Sequence, residues 1–175
     1  SDLVTSPGRS QIYDYYTYSG LDRDCKLQTE SISNWLTVPD SSKAVLDEFC
    51  KGADLTGTVA EIVQKLAAYY QDNIPYTYQP GITPYGQDFV SYFLKKNRRG
   101  YCAHFASAAT LLLRNCGIPA RYVEGYAIDP EDIGENGKIL TDQKVSDYYQ
   151  GYRELTDTGV VQVDVTDANA HAWVE

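Results

Sequence analysis

Between Gly100 and Pro119 runs the segment that most restricts how this chain can fold. Cys102, Phe105, Ala106, Ala109, Leu112, Leu113 and Cys116 recur at steps of three and four, the spacing that gathers side chains on one face of an α-helix. Such a face has to be buried, and its small Ala residues let neighbouring elements approach closely. Gly117 and Pro119 end the run: Gly turns left-handed past a helix end, and Pro lacks the N–H that would continue it. The chain therefore predicts a central helix against which other elements pack.

The flanking patterns supply those elements. Residues 1–40 are polar, Ser- and Tyr-rich and without clean periodicity, apart from Trp35, Leu36 and Val38 before Pro39, and read as an arm. Ser41 or Ser42 is placed to cap a helix through Val45, Leu46 and Phe49, with Gly52 just beyond its end. Past Thr56 and Thr58, the residues Val59, Ile62, Val63, Leu66, Ala67 and Tyr70 predict an amphipathic helix that Pro75 stops. Residues 74–87, with Tyr76, Tyr78 and Tyr85 among Pro and Gly, read as a loop. Asp88 opens a short helix over Phe89, Val90, Phe93 and Leu94, followed by a basic turn, Lys95 to Arg99. Arg121 to Ile128 predicts a strand, and Pro130 to Gly151 an acidic loop or insertion. The alternations of Val161, Val163 and Val165, and then of Ala170 to Val174, suggest two strands joined as a hairpin by the turn at Asp167 to Asn169. Helices first and an antiparallel sheet last make an α+β fold, with an arm over 1–40 and one domain over 41–175.

Composition narrows the function. Across 175 residues, 15 Lys+Arg oppose 24 Asp+Glu, a net charge of −9, and basic residues cluster only in pairs, so nucleic acid is not an expected partner. No apolar run reaches the roughly 20 residues that cross a bilayer. The chain starts at Ser1 and holds no Met, so it reads as a piece of a longer polypeptide that is itself free to be membrane-tethered. Sixteen Tyr and the lack of Met lean the composition towards an exported domain.

Chemistry concentrates at Cys102, which follows Gly100 into the first turn of the central helix. Helix N-termini favour negative charge and carry backbone N–H groups without intrahelical partners, conditions suited to a thiolate nucleophile and to an oxyanion beside it. A thiolate needs a proton partner, and the chain has two histidines, His104 and His171. His104, two residues along the same helix, points about 200° away from Cys102. His171, in the last predicted strand on one face with Trp173 and Glu175, is the better base. The bland alternative makes Cys102 a small buried apolar residue and His171 a satisfied strand histidine. A zinc site from Cys102, His104 and His171 fits poorly, because the Cys-x-His spacing lacks a second Cys or His pair. Cys116 reads as core. Cys25 and Cys50 either pair as a disulfide or stay free.

Four blocks carry a resemblance. The sequences Asp88-Phe89-Val90-Ser91-Tyr92-Phe93-Leu94, Arg99-Gly100-Tyr101-Cys102-Ala103-His104-Phe105-Ala106-Ser107-Ala108, and Leu113-Arg114-Asn115-Cys116-Gly117-Ile118-Pro119-Ala120-Arg121-Tyr122-Val123-Glu124-Gly125-Tyr126 resemble the transglutaminase-like core. Asn169-Ala170-His171-Ala172-Trp173-Val174-Glu175 resembles its histidine strand. The likeness spans roughly residues 55–175, and Trp35 to Pro39 is similar to the approach to this core in bacterial, membrane-tethered members exposed outside the cytoplasm. The resemblance implies a papain-like α+β fold, Cys102 as nucleophile, His171 as base, and a protein or peptide substrate, cell-wall peptide among the candidates, with no metal or organic cofactor. It also implies an acyl-enzyme that water hydrolyses or a Lys amine captures.

One position departs from the family pattern. The third member, usually an Asp on the strand after the histidine strand, has no counterpart, since the sequence stops at Glu175. Asp164 and Asp167 precede the histidine and do not match. Loss of such an orienting acid lowers triad rates by about four orders of magnitude. The contrasting expectation is therefore a module that keeps the fold as a binding or structural unit without catalysis.

Overall fold

Capping chemistry and apolar spacing set the helical elements. The computed structural model describes residues 33–128, 133–135, 137–139 and 161–175. The arm over 1–32, with Cys25, and most of the acidic stretch 130–151 lie outside the described residues. Helix α1 spans Asp40–Gly52, α2 Val59–Asn73, α3 Phe89–Tyr92 and α4 Cys102–Asn115.

The start of α2 shows the local logic. Thr58 accepts from the Glu61 N–H while the Glu61 carboxylate accepts from the Thr58 N–H at 2.7 Å, a reciprocal cap that satisfies two orphan donors. Ile62 and Leu66 of this helix are buried, but Val59 and Val63, expected on the same face, are exposed. The buried stripe is thus narrower than the apolar one. Helix α1 begins earlier than expected, with Pro39 in the cap position and Gly52 as its last residue. Ser42 is not a cap: it is fully buried, and its hydroxyl donates to Asp88 Oδ1 at 3.1 Å. Asp88 also accepts from the Ser91 N–H at 2.8 Å, so one carboxylate caps α3 and ties it to α1.

The expected basic turn after α3 is a π-helical turn, Phe93–Asn97, closed by a bond from the Arg98 N–H to the Phe93 carbonyl at 2.9 Å. Widening the helix here keeps Phe93 and Leu94 buried and ends with Arg98 in the left-handed region (φ 48°). The Arg98 guanidinium donates to the Tyr69 hydroxyl at 3.2 Å, which anchors this strained residue on α2.

Around α4 the core gathers Leu46 and Phe49 of α1, Ile62 and Leu66 of α2, Val90, Phe93 and Leu94, with Ala108, Ala109, Leu112 and Leu113 of α4 itself. Ala108 and Leu112 have no exposure. Burial on α4 extends beyond the expected stripe to His104 and Thr110, because helices flank it on more than one side.

The described residues divide into two units. The larger contains the helices and most of the pairing between β1 (Tyr122–Tyr126) and β4 (Ala170–Val174). Arg121 and Glu175 exchange both backbone bonds, N–H to carbonyl at 2.7 and 3.0 Å, an antiparallel arrangement. Counting inwards brings Gly125 across from His171. In the other unit, β2 (Lys138–Ile139) pairs antiparallel with β3 (Val161–Gln162). The expected hairpin is therefore absent: β3 and β4 each take a different partner, Val163 and Val165 lie outside any strand, and Asp167–Asn169 is a short 3-10 helix capped by Thr166. Alternation shows which face of a strand is buried but not which strand lies beside it.

Candidate active site

Cys102 is the first residue of α4, half-buried, directly after the extended residue Tyr101. Two backbone bonds hold the chain entering the helix against the preceding loop: the Thr77 N–H donates to the Gly100 carbonyl at 2.7 Å, and the Gly100 N–H to the Pro75 carbonyl at 3.3 Å. Gly100 is required for space. A Cβ there would lie 2.6 Å from the Cβ and Cγ of His104.

The loop that Gly100 pins delivers Tyr76 to the start of the helix. The Cys102 backbone N–H, one of the orphan donors of α4, donates to the Tyr76 hydroxyl at 3.2 Å. The Tyr76 ring stacks on Phe105 at 5.9 Å and meets Tyr78 edge-on at 5.4 Å. Burial, Cys102 and Tyr78 together hold the Tyr76 phenol above its usual range, against the opposing pull of the Cys102 N–H. Tyr122 on β1 also feels Cys102. Burial first, then its hydrogen bond to Glu124, raises the Tyr122 phenol, with smaller contributions from Glu124, Cys102 and Tyr101. Tyr76 is part of the Tyr-rich loop read over residues 74–87, whereas the position of Tyr122 beside Cys102 carried no sequence signal. Tyr78, Ile82 and Tyr85 of that loop are strongly exposed.

His104 does not face Cys102. It is buried among the rings of Tyr101 (4.6 Å), Phe89 (4.7 Å) and Phe93 (5.5 Å). Its Nδ1 is buried without a hydrogen-bond partner, and burial lowers its pKa. His171 is an exposed residue of β4. Strand alternation sets it on the face of Trp173 and Glu175, whose side chains bond through Trp173 Nε1 to Glu175 Oε1 at 3.1 Å. The opposite face carries buried Ala172 and core-packed Val174. Among the described residues no hydrogen bond joins His171 to Cys102, although both belong to the larger unit.

This arrangement sits within a known pattern. The transglutaminase-like superfamily core matches residues 45–175, and the chain belongs to that superfamily. Over 89 residues it is 37% identical to YebA of Bacillus subtilis, covering 51% of this chain and 9% of that protein. Over 86 residues it is 38% identical to a protein-glutamine gamma-glutamyltransferase of Pseudomonas aeruginosa, covering 49% of this chain and 12% of that one. The chain thus spans about a tenth of the curated relatives it matches. Among solved structures, it resembles the periplasmic domain of TgpA from Pseudomonas aeruginosa at 27% identity and a TM-score of 0.55, over 86% of this chain and 43% of that one. No helix of the described residues is long and apolar enough to cross a membrane.

Proposed function

We propose that the chain is the catalytic segment of a thiol enzyme that transfers the acyl group of a protein carboxamide, acting outside the cytoplasm. The observation that carries this reading is Cys102 at the first position of the buried helix α4, inside the segment that matches the superfamily. In this reading the Cys102 sulfur adds to the carboxamide carbon, and the developing oxyanion takes the Cys102 N–H. That N–H now donates to Tyr76, so the substrate oxygen has to displace the Tyr76 hydroxyl. His171 takes the thiol proton and passes it to the nitrogen of the adduct, which departs as ammonia and leaves a thioester that water or a Lys amine resolves. Hydrogen bonds between catalytic groups often tighten only once substrate is bound, and closure of the Cys102–His171 pair belongs to that step. The Pseudomonas relative named as a glutamine gamma-glutamyltransferase supports the carboxamide substrate, and the periplasmic TgpA domain supports the compartment.

The test needs no known substrate. Iodoacetamide labelling of the native chain, read by mass spectrometry at neutral pH, should modify Cys102 well ahead of Cys50 and Cys116 and slow in His171→Ala. Equal labelling of Cys102 in both proteins would remove His171 from the mechanism.

A further inference from the structure

At the far end of α4, two cysteines that the chemistry above does not use approach each other. Cys50, near the end of α1, and Cys116, which caps α4, lie 66 positions apart in sequence, and their sulfurs are 3.6 Å apart. That is van der Waals contact, so closing to the roughly 2 Å of an S–S bond needs only small side-chain rotations. Both thiols are free and half-buried, within reach of a small oxidant.

The backbones carrying the sulfurs are fixed. The Cys50 carbonyl accepts from the Leu55 N–H at 2.9 Å, and the Cys116 N–H donates to the Leu112 carbonyl at 3.0 Å. Asn115 locks the two helices beside the pair: it donates to Asp47 Oδ1 at 2.9 Å and accepts from Lys43 at 3.1 Å. The same Asn115 amide lies 3.7 Å from the Cys50 sulfur, a donor for negative charge there. The pair is thus held together by helix ends and a polar clamp rather than by a chance rotamer.

We propose that Cys50 and Cys116 form an intramolecular disulfide that fastens α1 to the end of α4. The oxidant is a disulfide of a small thiol or of a dithiol oxidoreductase. The Cys50 thiolate attacks one sulfur of that donor, whose S–S bond breaks and releases a thiolate. Cys116 then loses its proton to water, its sulfur attacks the Cys50 sulfur, and the second donor thiol departs with the electron pair. Two protein thiols are oxidised and one donor disulfide is reduced to two thiols. Burial and the neighbouring Cys50 push the Cys116 thiol up to about 12. The bond does not depend on the chemistry at Cys102, which stands at the opposite end of α4.

The experiment equilibrates the full chain with glutathione disulfide, blocks residual thiols and maps the linked peptides by mass spectrometry. The expected result is a Cys50–Cys116 peptide with Cys102 outside that bond. Thermal melting of the oxidised chain should then rise above the reduced chain by about 10 °C, a gain absent in Cys50→Ser and in Cys116→Ser. A Cys25–Cys50 peptide, or thiols at 50 and 116 that stay free through equilibration, overturns the proposal. Because the linked peptides are mapped on the unmutated chain, poor folding of either variant does not alter that result.

Discussion

The two ends of α4 each carry a half-buried cysteine, and the helix treats them oppositely. At the start, peptide dipoles and unpaired N–H groups favour negative charge; at the end, exposed carbonyls oppose it. Cys102 accordingly stands beside a donor N–H and two tyrosines. Cys116 faces a second thiol and has its own thiol raised by burial and by Cys50. In the proposals made above, one residue type serves as nucleophile or as structural tether according to which helix end holds it and what surrounds it.

The sharpest way to break this contrast is to remove each sulfur in turn. Cys102→Ala should abolish amine incorporation into a glutamine-donor protein, a fall of about four to six orders of magnitude, while Cys116→Ala should leave it within about tenfold. Comparable losses at both positions would end the division of labour. His171→Ala should come next, with a fall of about three to four orders of magnitude in turnover. A loss below tenfold would assign the proton to another group.

The middle of the helix joins the two ends, and Leu112 is its most enclosed large residue. Leu112→Ala should destabilise the chain by about 2–5 kcal/mol in urea unfolding, through lost burial and the cavity left behind. A change under about 1 kcal/mol would show that α4 is less tightly packed than its burial implies.

That core was legible in the sequence because helical period is local. The steps from Cys102 to Leu113 need only nearby residues, whereas the cap expected at Ser41 or Ser42 gave way to a contact of Ser42 with Asp88, 46 positions on. Contacts set by the path of the chain were not legible. Tyr76 meets Cys102 across 26 positions and Cys50 meets Cys116 across 66, and no pattern along the chain encodes either. Sequence reading left Cys50 with Cys25 as its candidate partner for this reason. It also joined β3 to β4, since strands adjacent in sequence often pair, whereas each takes a different neighbour. Of the candidate site, the position of Cys102 on its helix and the Tyr-rich loop that carries Tyr76 were readable; the contact of Tyr76 with the Cys102 N–H and the place of Tyr122 were not.

A smaller effect is expected at Gly100, where the approach to the Cys102 end depends on space. An Ala methyl would lie 2.6 Å from His104, so Gly100→Ala should shift the first turn of α4 and destabilise by about 1–3 kcal/mol. If the contrast between helix ends is correct, this variant should also slow Cys102 labelling while leaving Cys50–Cys116 disulfide formation unchanged. Loss of both would mean that the ends move as one.

The smallest effect is a pH dependence at the same end of the helix. His104 is buried among three aromatic rings with Nδ1 unpaired, and burial lowers its pKa in the folded state. The unfolded chain, with an ordinary imidazole near 6.5, therefore binds the proton first as pH falls. Stability should be fully present above that value and decline below it, by at most about 1.4 kcal/mol per pH unit for one proton. Asp47, Asp54, Glu61 and Glu175 all have pKa values held below their usual carboxylate range, so their own losses begin at lower pH, below the interval from 7 to 5 in which the His104 contribution falls. His104→Phe keeps an aromatic ring in the pocket without a titrating nitrogen. In urea unfolding at pH 7, 6 and 5 the variant should show a flatter profile than the parent chain. Parallel profiles would mean that His104 is reached by protons without unfolding and that the Cys102 end of α4 is more open than its tight ring contacts imply.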